Sequence, residues 1–476
     1  MSAGPRARRG AGVGPELRRA APRGPAELVL DAAAGRLLAH DAGFLRVLGG
    51  PGTGKTTLLA ERVARLLHAR PDARQLVLVG DRRAAAALRE RISARRRALV
   101  RARAGDGAGA GAVELPRAAR EPLVRSVHSY AFAVLRRHAG RRAEAPPRLL
   151  PGAQQDAMVR ELLAGEADGV GAASGWPARM RPALEAPAFA SEVRDLLLRA
   201  AERGLGPREL TDLGRTHGVA VWTAAGRFFR TYEEVTLLRA AAGRANPLAS
   251  APPLDAAELV AAVLDAFAAD PDLLAEEQAA VRHLVVDDAQ DLDPQQVELV
   301  RALGATTQDW VLAGDPDSSV LGFRGADPTL LRDADPGGRS TVVLGVDHRG
   351  GPAVRAAVGR VIEALPGAGP GRARVGPPGE GPADPPGGEH TGAAVSVHVF
   401  ATPGQQATAT ADRLRRAHLV DGVRWSRMAV IVRSVSWSLP PLRRALLAAG
   451  VPLAVPADDT PLAALPAVVN TPFSGP

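Results

Sequence analysis

The chain has 476 residues, with 60 lysine and arginine residues against 51 aspartate and glutamate residues, and a formal net charge of +9 at pH 7. It has no cysteine, which excludes a disulfide framework, a thiolate metal site and a cysteine nucleophile. No apolar run is long enough to cross a membrane and none follows the basic N-terminus, so we expect a cytoplasmic protein with neither a membrane span nor a signal peptide. The positive charge suits an anionic partner such as nucleic acid, but an arginine-rich composition explains it equally well.

Short runs rich in valine and leucine alternate with helical patterns along most of the chain. Residues 1–22 precede them as a basic arm rich in arginine, glycine and proline, which we expect to be disordered. Continuous apolar runs separated by helices are typical of buried parallel strands. They predict an α/β fold on a doubly wound parallel sheet, with strands at 44–48, 75–79, 283–287, 309–313, 341–344, 395–400 and 428–432.

Residues 140–270 interrupt this alternation. They show helical periodicity, as in AFASEVRDLLLRAAERG, and almost no strand pattern. We therefore expect a helical domain inserted into a first sheet domain that comprises residues 23–139 and 271–335. Residues 336–476 are expected to form a second, partial domain of the same kind, with a Gly/Pro-rich insertion at 365–393.

The segment GGPGTGKTT lies between a predicted strand and a predicted helix and matches the phosphate-binding pattern G-x-x-x-x-G-K-[ST]. It contains Lys55, the only lysine of the chain. Glycines let backbone N–H groups surround a phosphate, the helix N-terminus adds its positive end, and an ammonium is a slimmer charge than a guanidinium. A glycine-rich turn that binds nothing is the alternative, which the position of the lysine disfavours. The predicted phosphate site consists of Gly49, Gly50, Pro51, Gly52, Thr53, Gly54, Lys55, Thr56 and Thr57.

A phosphate loop of this kind needs acidic partners, and the segment HLVVDDAQDLDPQQ supplies them. It is an apolar strand that ends in Asp287 and is followed by Asp288. We predict that Thr56 and Asp287 hold Mg²⁺ and that Asp288 polarises the attacking water. A turn with two solvated aspartates is the alternative, and its pairing with the phosphate loop makes the metal site the better interpretation.

Six segments in a fixed order carry a family resemblance: GGPGTGKTT, RAAAALRERI, SVHSYAFAVLRRHA, VVDDAQDLDPQQ, LAGDPDSSVLGFRGAD and VVLGVDHRGGPAV. Their order resembles that of the superfamily 1 DNA helicases of the UvrD/Rep/PcrA and RecB type, and residues 421–459 resemble the start of that family's second motor domain. The resemblance implies two RecA-like motor domains, ATP and Mg²⁺ as cofactors, and single- or double-stranded DNA as partner. It also implies 3′ to 5′ translocation in repair or recombination. Within the family the chain looks most like helicase–nuclease subunits of actinobacteria, which implies a partner subunit.

The resemblance assigns roles to residues outside the phosphate loop. It implies that Arg349 reaches the γ-phosphate of ATP from the second motor domain. It implies DNA contacts for His128, Ser129, Phe323 and Arg324, with the Phe323 ring stacked on a base. A buried core position is the alternative for Phe323, because aromatic side chains are more often buried.

Several positions that the family uses for catalysis or for binding ATP and DNA hold different residues in this chain. Asp288 replaces a water-orienting glutamate and is one methylene shorter, and a displacement of about 1 Å can cost on the order of 10²-fold in rate. Ser318 occupies the place of a catalytic glutamine that senses the γ-phosphate, and Leu321 that of a tyrosine. Ala34 and Gly80 stand where the family has an adenine-reading glutamine and a base-stacking phenylalanine.

Two functions are compatible with this pattern. The first is an ATP-dependent single-stranded DNA translocase or helicase. The second is a nucleotide- and DNA-binding subunit without catalysis, or an inactive fragment of a helicase–nuclease complex. The segment GDPDSSVLGFRGAD disfavours an unrelated P-loop kinase or GTPase. The chain stops before the family's last two motor motifs, which suggests a truncated sequence, so we expect little or no ATP hydrolysis by this chain alone.

Overall fold

The computed structural model describes residues 28, 30–104, 123–170, 173–243, 253–365 and 395–454. The predicted basic arm at 1–22 lies outside these residues, and so does nearly all of the predicted insertion at 365–393. The chain forms two compact units, Met1–Glu389 and His390–Pro476. Among the described residues, no helix combines the length and the apolar character that crossing a membrane requires.

The described residues contain eight strands. They are β1 (Gly43–Gly49), β2 (Gln75–Val79), β3 (Leu123–Ser126), β4 (Arg148–Leu149), β5 (Pro253–Leu254), β6 (His283–Val286), β7 (Asp309–Gly314) and β8 (Thr341–Leu344). Six of them form one parallel sheet in the order β3-β2-β6-β7-β1-β8, and β4 pairs with β5 separately. This is the α/β architecture that the sequence predicts, and it is consistent with a RecA-like helicase domain.

Fifteen α-helices are assigned within the described residues. In the first unit they are α1 (Ala32–Ala39), α2 (Lys55–Ala69), α3 (Arg82–Ala104), α4 (Val127–Arg141), α5 (Gly152–Ala167), α6 (Pro187–Ala201), α7 (Pro207–Thr216), α8 (Ala220–Gly243), α9 (Ala256–Ala269), α10 (Pro271–Ala280), α11 (Pro294–Gly304), α12 (Pro328–Arg332) and α13 (Pro352–Ala364). In the second unit they are α14 (Pro403–Leu419) and α15 (Val435–Ala448).

Helices cover both faces of the central strands, whose successive side chains point to opposite sides of the sheet. Leu76 and Leu78 of β2 pack with α4, α9 and α11, while Val77 and Val79 pack with α2 and α3 on the other face. Strands covered in this way have continuous apolar sequences, since neither face meets water. This explains why each of the five predicted strands in the first unit begins and ends within one residue of its predicted limits.

Two predicted strands are wrong. Residues 395–400 and 428–432 form no strand in the second unit, and the side chains of Val397, Val399 and Ile431 are 87%, 94% and 95% exposed. An apolar run becomes a strand only when its backbone groups pair with a neighbouring strand. Neither run forms such backbone pairs among the described residues. In the other direction, the short edge strand β3 was not predicted, because the apolar pattern of LVRS is interrupted by Arg125.

Two predicted domain limits also need correction. The segment 341–344 was assigned to the second domain, but β8 pairs in parallel with β1, with Gly49 opposite Leu344, and is the edge strand of the first sheet. Helix α9 was assigned to the inserted helical domain, but its apolar residues, Val263 among them, pack in the core beside the sheet. Helices α5, α6 and α8 share a separate hydrophobic cluster. That this cluster is an inserted domain stays a prediction.

A buried charge cluster lies at the amino ends of β6 and β7. Arg62 of α2 donates hydrogen bonds to the carboxylate of Asp309 and to the carbonyl oxygen of His40. The ring nitrogen Nδ1 of His283 lies 3.1 Å from the other oxygen of Asp309, and all three side chains are at most 1% exposed. Burial raises the pKa of Asp309, but the hydrogen bond from His283 and the charge of Arg62 outweigh it, so the pKa is below its ordinary value.

We predict that Asp309→Asn lowers the free energy of unfolding by about 3–5 kcal/mol, because it leaves the buried guanidinium of Arg62 without its counter-charge. Urea denaturation measures the loss, with the exposed Asp72→Asn as control. Because the folded pKa is lowered, the charge of Asp309 stabilises the fold above the unfolded pKa of about 3.9 and stops doing so as the pH falls through the lower folded value. The difference between Asp309→Asn and the parent should therefore shrink in acid. An Asp309→Asn variant as stable as the control would contradict this role.

Candidate functional site

The candidate site residues meet at one edge of the sheet. The phosphate loop follows β1, Asp287 follows β6, Asp315 follows β7 and Asp347 lies just beyond β8. Since the six strands are parallel, all of these segments leave the sheet at its carboxyl edge. This is where open α/β sheets bind their ligands.

The phosphate loop is shaped by two glycines in the left-handed region. Gly52 and Gly54 both have φ of +85°, and α2 begins at Lys55 directly afterwards. The Thr53 hydroxyl donates to the carbonyl oxygen of Gly50 at 2.8 Å, which closes the loop internally. The Lys55 ammonium donates to the carbonyl oxygens of Gly49 and Gly50, so it lies folded across the loop. The arrangement presents a helix N-terminus and an ammonium to the same space, as anion binding requires.

Thr56 and Asp287 are brought together by the fold, as predicted for a pair that holds Mg²⁺. The Thr56 hydroxyl lies close enough to the Asp287 carboxylate to lower its pKa, and this carboxylate is 4% exposed and accepts the N–H of Asp288 at 3.1 Å. Burial and then the charge of Asp288 raise the pKa of Asp287 to about 6, although Thr56 and the charge of Lys55 lower it. A buried carboxylate next to a second acid is a place where a cation is favourable.

Asp288 has an unusual backbone. Its φ of 53° and ψ of 44° place it in the left-handed region, which is rare for a residue other than glycine. Its carboxylate lies 3.4 Å from the side-chain nitrogen of Gln290.

Two residues of the site were missed in the sequence. Gln290 is buried, and its side-chain oxygen accepts the N–H of Asp315 at 2.9 Å. Asp315 is also buried, and burial raises its pKa above the ordinary value. The hydroxyl of Ser318, predicted as a catalytic position, donates to the Asp315 carboxylate. Asp315 could have been found by the signal that revealed Asp287, since each follows an apolar strand directly.

Arg349 lies within the first unit, Met1–Glu389, and that it reaches the γ-phosphate from a second motor domain stays a prediction. It lies exposed in the first unit, on the loop after β8. The buried Asp347 carboxylate accepts the N–H of Arg349 at 2.8 Å and that of Gly350 at 3.0 Å. The N–H of His348 donates to the carbonyl oxygen of Gly52 at 3.0 Å. This loop is thus seated directly on the phosphate loop.

The predicted DNA contacts lie at the same edge. Ser129 is in the first turn of α4, where its N–H donates to the capping hydroxyl of Ser126, and His128 is half-buried with its Nε2 3.4 Å from the side-chain nitrogen of Gln296. Phe323 is 68% exposed, which excludes the alternative of a core phenylalanine. The guanidinium of Arg324 lies 5.4 Å from the centre of its ring.

The positions that depart from the family pattern have plain structural surroundings. Ala34 is buried in α1, and its N–H donates to the capping carboxylate of Asp31 at 2.7 Å. Gly80 follows β2 and has open space where a side chain would be. Neither position offers a side chain that could read or stack on a base.

Fold and site together define an α/β protein that carries a phosphate-loop motif on a sheet consistent with a RecA-like helicase domain. Residues 30–336 match the model of the UvrD/REP helicase N-terminal domain. The chain belongs to this family.

Three relatives are similar over parts of their length. The ATP-dependent DNA helicase UvrD1 of Mycobacterium leprae (strain TN) is 26% identical over 344 residues, which is 68% of this chain and 38% of the relative. The ATP-dependent DNA helicase PcrA of Leuconostoc citreum is 32% identical over 98 residues, 20% of this chain and 13% of the relative. DNA helicase II of Haemophilus influenzae (strain ATCC 51907 / DSM 11121 / KW20 / Rd) is 34% identical over 73 residues, 15% of this chain and 10% of the relative. The chain therefore spans well under half of these relatives.

We predict that Gly52→Ala lowers the thermal unfolding midpoint by more than Gly54→Ala. Both positions have the same φ, so both variants carry the strain of a left-handed alanine. A Cβ at Gly54 meets open space, whereas one at Gly52 would overlap the Asp347 carboxylate. Scanning calorimetry of both variants measures the difference, and Asp347→Ala in the Gly52→Ala background should reduce it. Equal losses in the two glycine variants would show that the loop after β8 does not rest on the phosphate loop.

Proposed function

We propose that this chain binds ATP and Mg²⁺ at the carboxyl edge of its sheet and grips single-stranded DNA at the same edge, as the motor portion of an ATP-dependent DNA helicase or translocase. One observation carries the proposal. The phosphate loop, the acids after β6 and β7, and the exposed Phe323 lie at one edge of the sheet on the loops after three adjacent strands, and Gln290 joins the loops after β6 and β7 by hydrogen bonds. The family of the chain supports the same function, and its resemblance to repair helicases supports 3′ to 5′ movement.

The phosphate loop would hold the triphosphate. The backbone N–H groups of the loop and of the first turn of α2 would surround the phosphates, and Lys55 would leave its carbonyl partners to contact the β- and γ-phosphates. Arg349 stands on the loop seated against Gly52, so its exposed guanidinium is available to the terminal phosphate from within the first unit. Lys55 and Arg349 would together neutralise the negative charge that develops on the phosphates during ATP hydrolysis.

Mg²⁺ fits the donor set found here. A phosphate-loop site needs few protein ligands, because the ion keeps waters and binds phosphate oxygens. The hydroxyl of Thr56 and the carboxylate of Asp287 already contact each other, and they would hold the ion. When bound, Mg²⁺ supplies charge neutralisation for the phosphates. Asp288 would orient the attacking water, and its left-handed backbone would fix where its short carboxylate points.

A chain of contacts links the acids to the DNA contacts. Gln290 bridges the Asp288 carboxylate and the N–H of Asp315, and Asp315 holds Ser318. The same loop continues through two short 3₁₀ turns to Phe323. A change of charge beside the phosphates would therefore alter the partners of the segment that presents the aromatic ring. The ring would stack on a base, which tolerates any sequence, as a translocase requires.

A second candidate is a nucleotide- and DNA-binding subunit with little catalysis, which would depend on a helicase–nuclease partner. Ser318 favours this second candidate. Its hydroxyl donates to the Asp315 carboxylate, and its side chain is shorter than that of the glutamine that would reach the γ-phosphate. The shorter carboxylate of Asp288 and the buried Ala34 point the same way. Under this candidate, ATP binding would fix the grip on DNA without rapid turnover.

We predict that the purified 476-residue chain binds ATP with Mg²⁺ but hydrolyses it slowly, even with single-stranded DNA. The physical reason is twofold. The carboxylate of Asp288 is one methylene shorter than that of the family's glutamate, and Ser318 replaces the glutamine that senses the γ-phosphate. Single-turnover hydrolysis of radiolabelled ATP measures it, and Lys55→Ala, which should lose ATP binding, provides the background. DNA-stimulated hydrolysis well above that background would overturn the non-catalytic candidate and establish a competent motor.

We predict that binding of single-stranded DNA survives Lys55→Ala, because the proposed DNA contacts, His128 and Phe323 among them, lie on segments other than the phosphate loop. Binding should weaken as salt is raised, with a slope of log affinity against log salt near −0.7 per phosphate contact. Fluorescence anisotropy of a labelled oligonucleotide over a potassium chloride series measures both. Affinity that is independent of salt would show that basic side chains do not carry the grip.

A further inference from the structure

The C-terminal end of helix α6 lies against the turn that carries Phe323. Arg199 donates from one terminal nitrogen to the carbonyl oxygen of Phe323 at 2.5 Å, although the two residues are 124 positions apart. Its other terminal nitrogen pairs with the carboxylate of Glu202, one turn later in the chain. One guanidinium thus bridges its own helix and the backbone of a distant loop.

Glu202 holds the other end of the same turn. Gly325 closes the turn with a φ of +86°, and a Cβ there would overlap the Glu202 carboxylate. The backbone oxygen of Glu202 accepts the N–H of Gln295 at 3.3 Å, which ties this point to the start of α11. The turn from Gly322 to Gly325 is therefore hydrogen-bonded to Arg199 at its middle and packed closely against Glu202 at its end.

The ion pair between Arg199 and Glu202 is weak support for stability, which favours a role in positioning the turn. The Oε2 atom of Glu202 is buried and has no hydrogen-bond partner among the described residues. Burial raises the pKa of Glu202 to about 7, while the charged groups that face it are Arg199, Arg203 and Asp293. A buried ion pair is weak support for stability, because desolvation offsets its attraction. What it does supply is a defined geometry.

The Phe323 ring itself packs against little. It is 68% exposed, and the neighbouring cation is Arg324, which lies beside its own ring in the same turn. The direction of the ring is therefore decided by the backbone of the turn, and that backbone is held from α6. Stacking energy depends on presenting a ring face to a base, so a turn that is free to move loses part of it.

We infer that Arg199 and Glu202 form a latch from helix α6 that fixes the turn Gly322–Gly325 and so presents the Phe323 ring to single-stranded DNA, with Arg199 acting as a positioning residue. The inference rests on the proposed role of Phe323 in stacking. It gives helix α6 a part in DNA binding without a contact of its own to the nucleic acid.

A double-mutant cycle on the full chain tests this, with fluorescence anisotropy of labelled oligo(dT). We expect Phe323→Ala to weaken binding about tenfold, and Arg199→Met to weaken it about threefold to tenfold. The double variant should bind no more weakly than Phe323→Ala alone, because a latch has nothing to position once the ring is gone. Arg194→Met is the matched control on α6, since Arg194 is 25% exposed and also paired with acids, against 21% for Arg199.

Two further variants protect the test against misfolding. Gly325→Ala should displace the turn from the Glu202 side and weaken binding like Arg199→Met, and Arg199→Lys should recover part of the affinity because it keeps one donor. Additive losses in the double variant, or a loss equal to that of Arg194→Met, would overturn the latch. If Phe323→Ala itself has no effect, the stacking role in the proposed function fails first, and the latch with it.

Discussion

The site depends on the hydrogen bonding of β1 between β7 and β8. Gly49, the last residue of β1, is opposite Leu344, and Leu48 is opposite Gly314. The phosphate loop therefore has Asp315 on one side and the loop of Asp347 on the other. No local preference of the glycine-rich segment could bring these acids together, because they come from distant parts of the chain. A shift of either strand by one residue would also reverse which side chains face each helical layer.

This pairing sets the electrostatics of the carboxyl edge. Asp287 and Asp315 are buried with raised pKa values, and the charge of Lys55 acts against both shifts. One flexible ammonium can contact carbonyl oxygens of the loop and still move to a phosphate, whereas a planar guanidinium fits fewer partners at such close range. This explains why a chain that uses arginine everywhere else has its single lysine at this position.

The sequence predicted the parts of this structure that are encoded locally. Buried parallel strands reveal themselves through continuous apolar runs, so β2 and β8 were predicted with their observed ends. The phosphate loop and Asp287 were predicted because a spacing rule or a strand end marks them. The same patterns failed at residues 395–400, since an apolar run does not say whether a partner strand exists. They also could not assign β8 and Arg349 to the first unit, because that depends on which strand pairs with β1.

Contacts between elements that are distant in the chain could not be predicted from the sequence, and such contacts connect the phosphate site to the turn of Phe323. Gln290 and Arg199 occur in segments whose local patterns are ordinary, a turn after a strand and the end of an amphipathic helix. Their importance comes from the groups they meet, Asp315 and the backbone of Phe323. The loop between β7 and α12 is thereby held at its beginning by a residue beside the phosphate site and at its end by a helix outside the sheet. A segment fixed at both ends transmits a displacement of one end to the other more effectively than a free loop, since it cannot absorb the change by local motion. The loop after β7 is therefore the element through which we expect nucleotide state and DNA grip to influence each other.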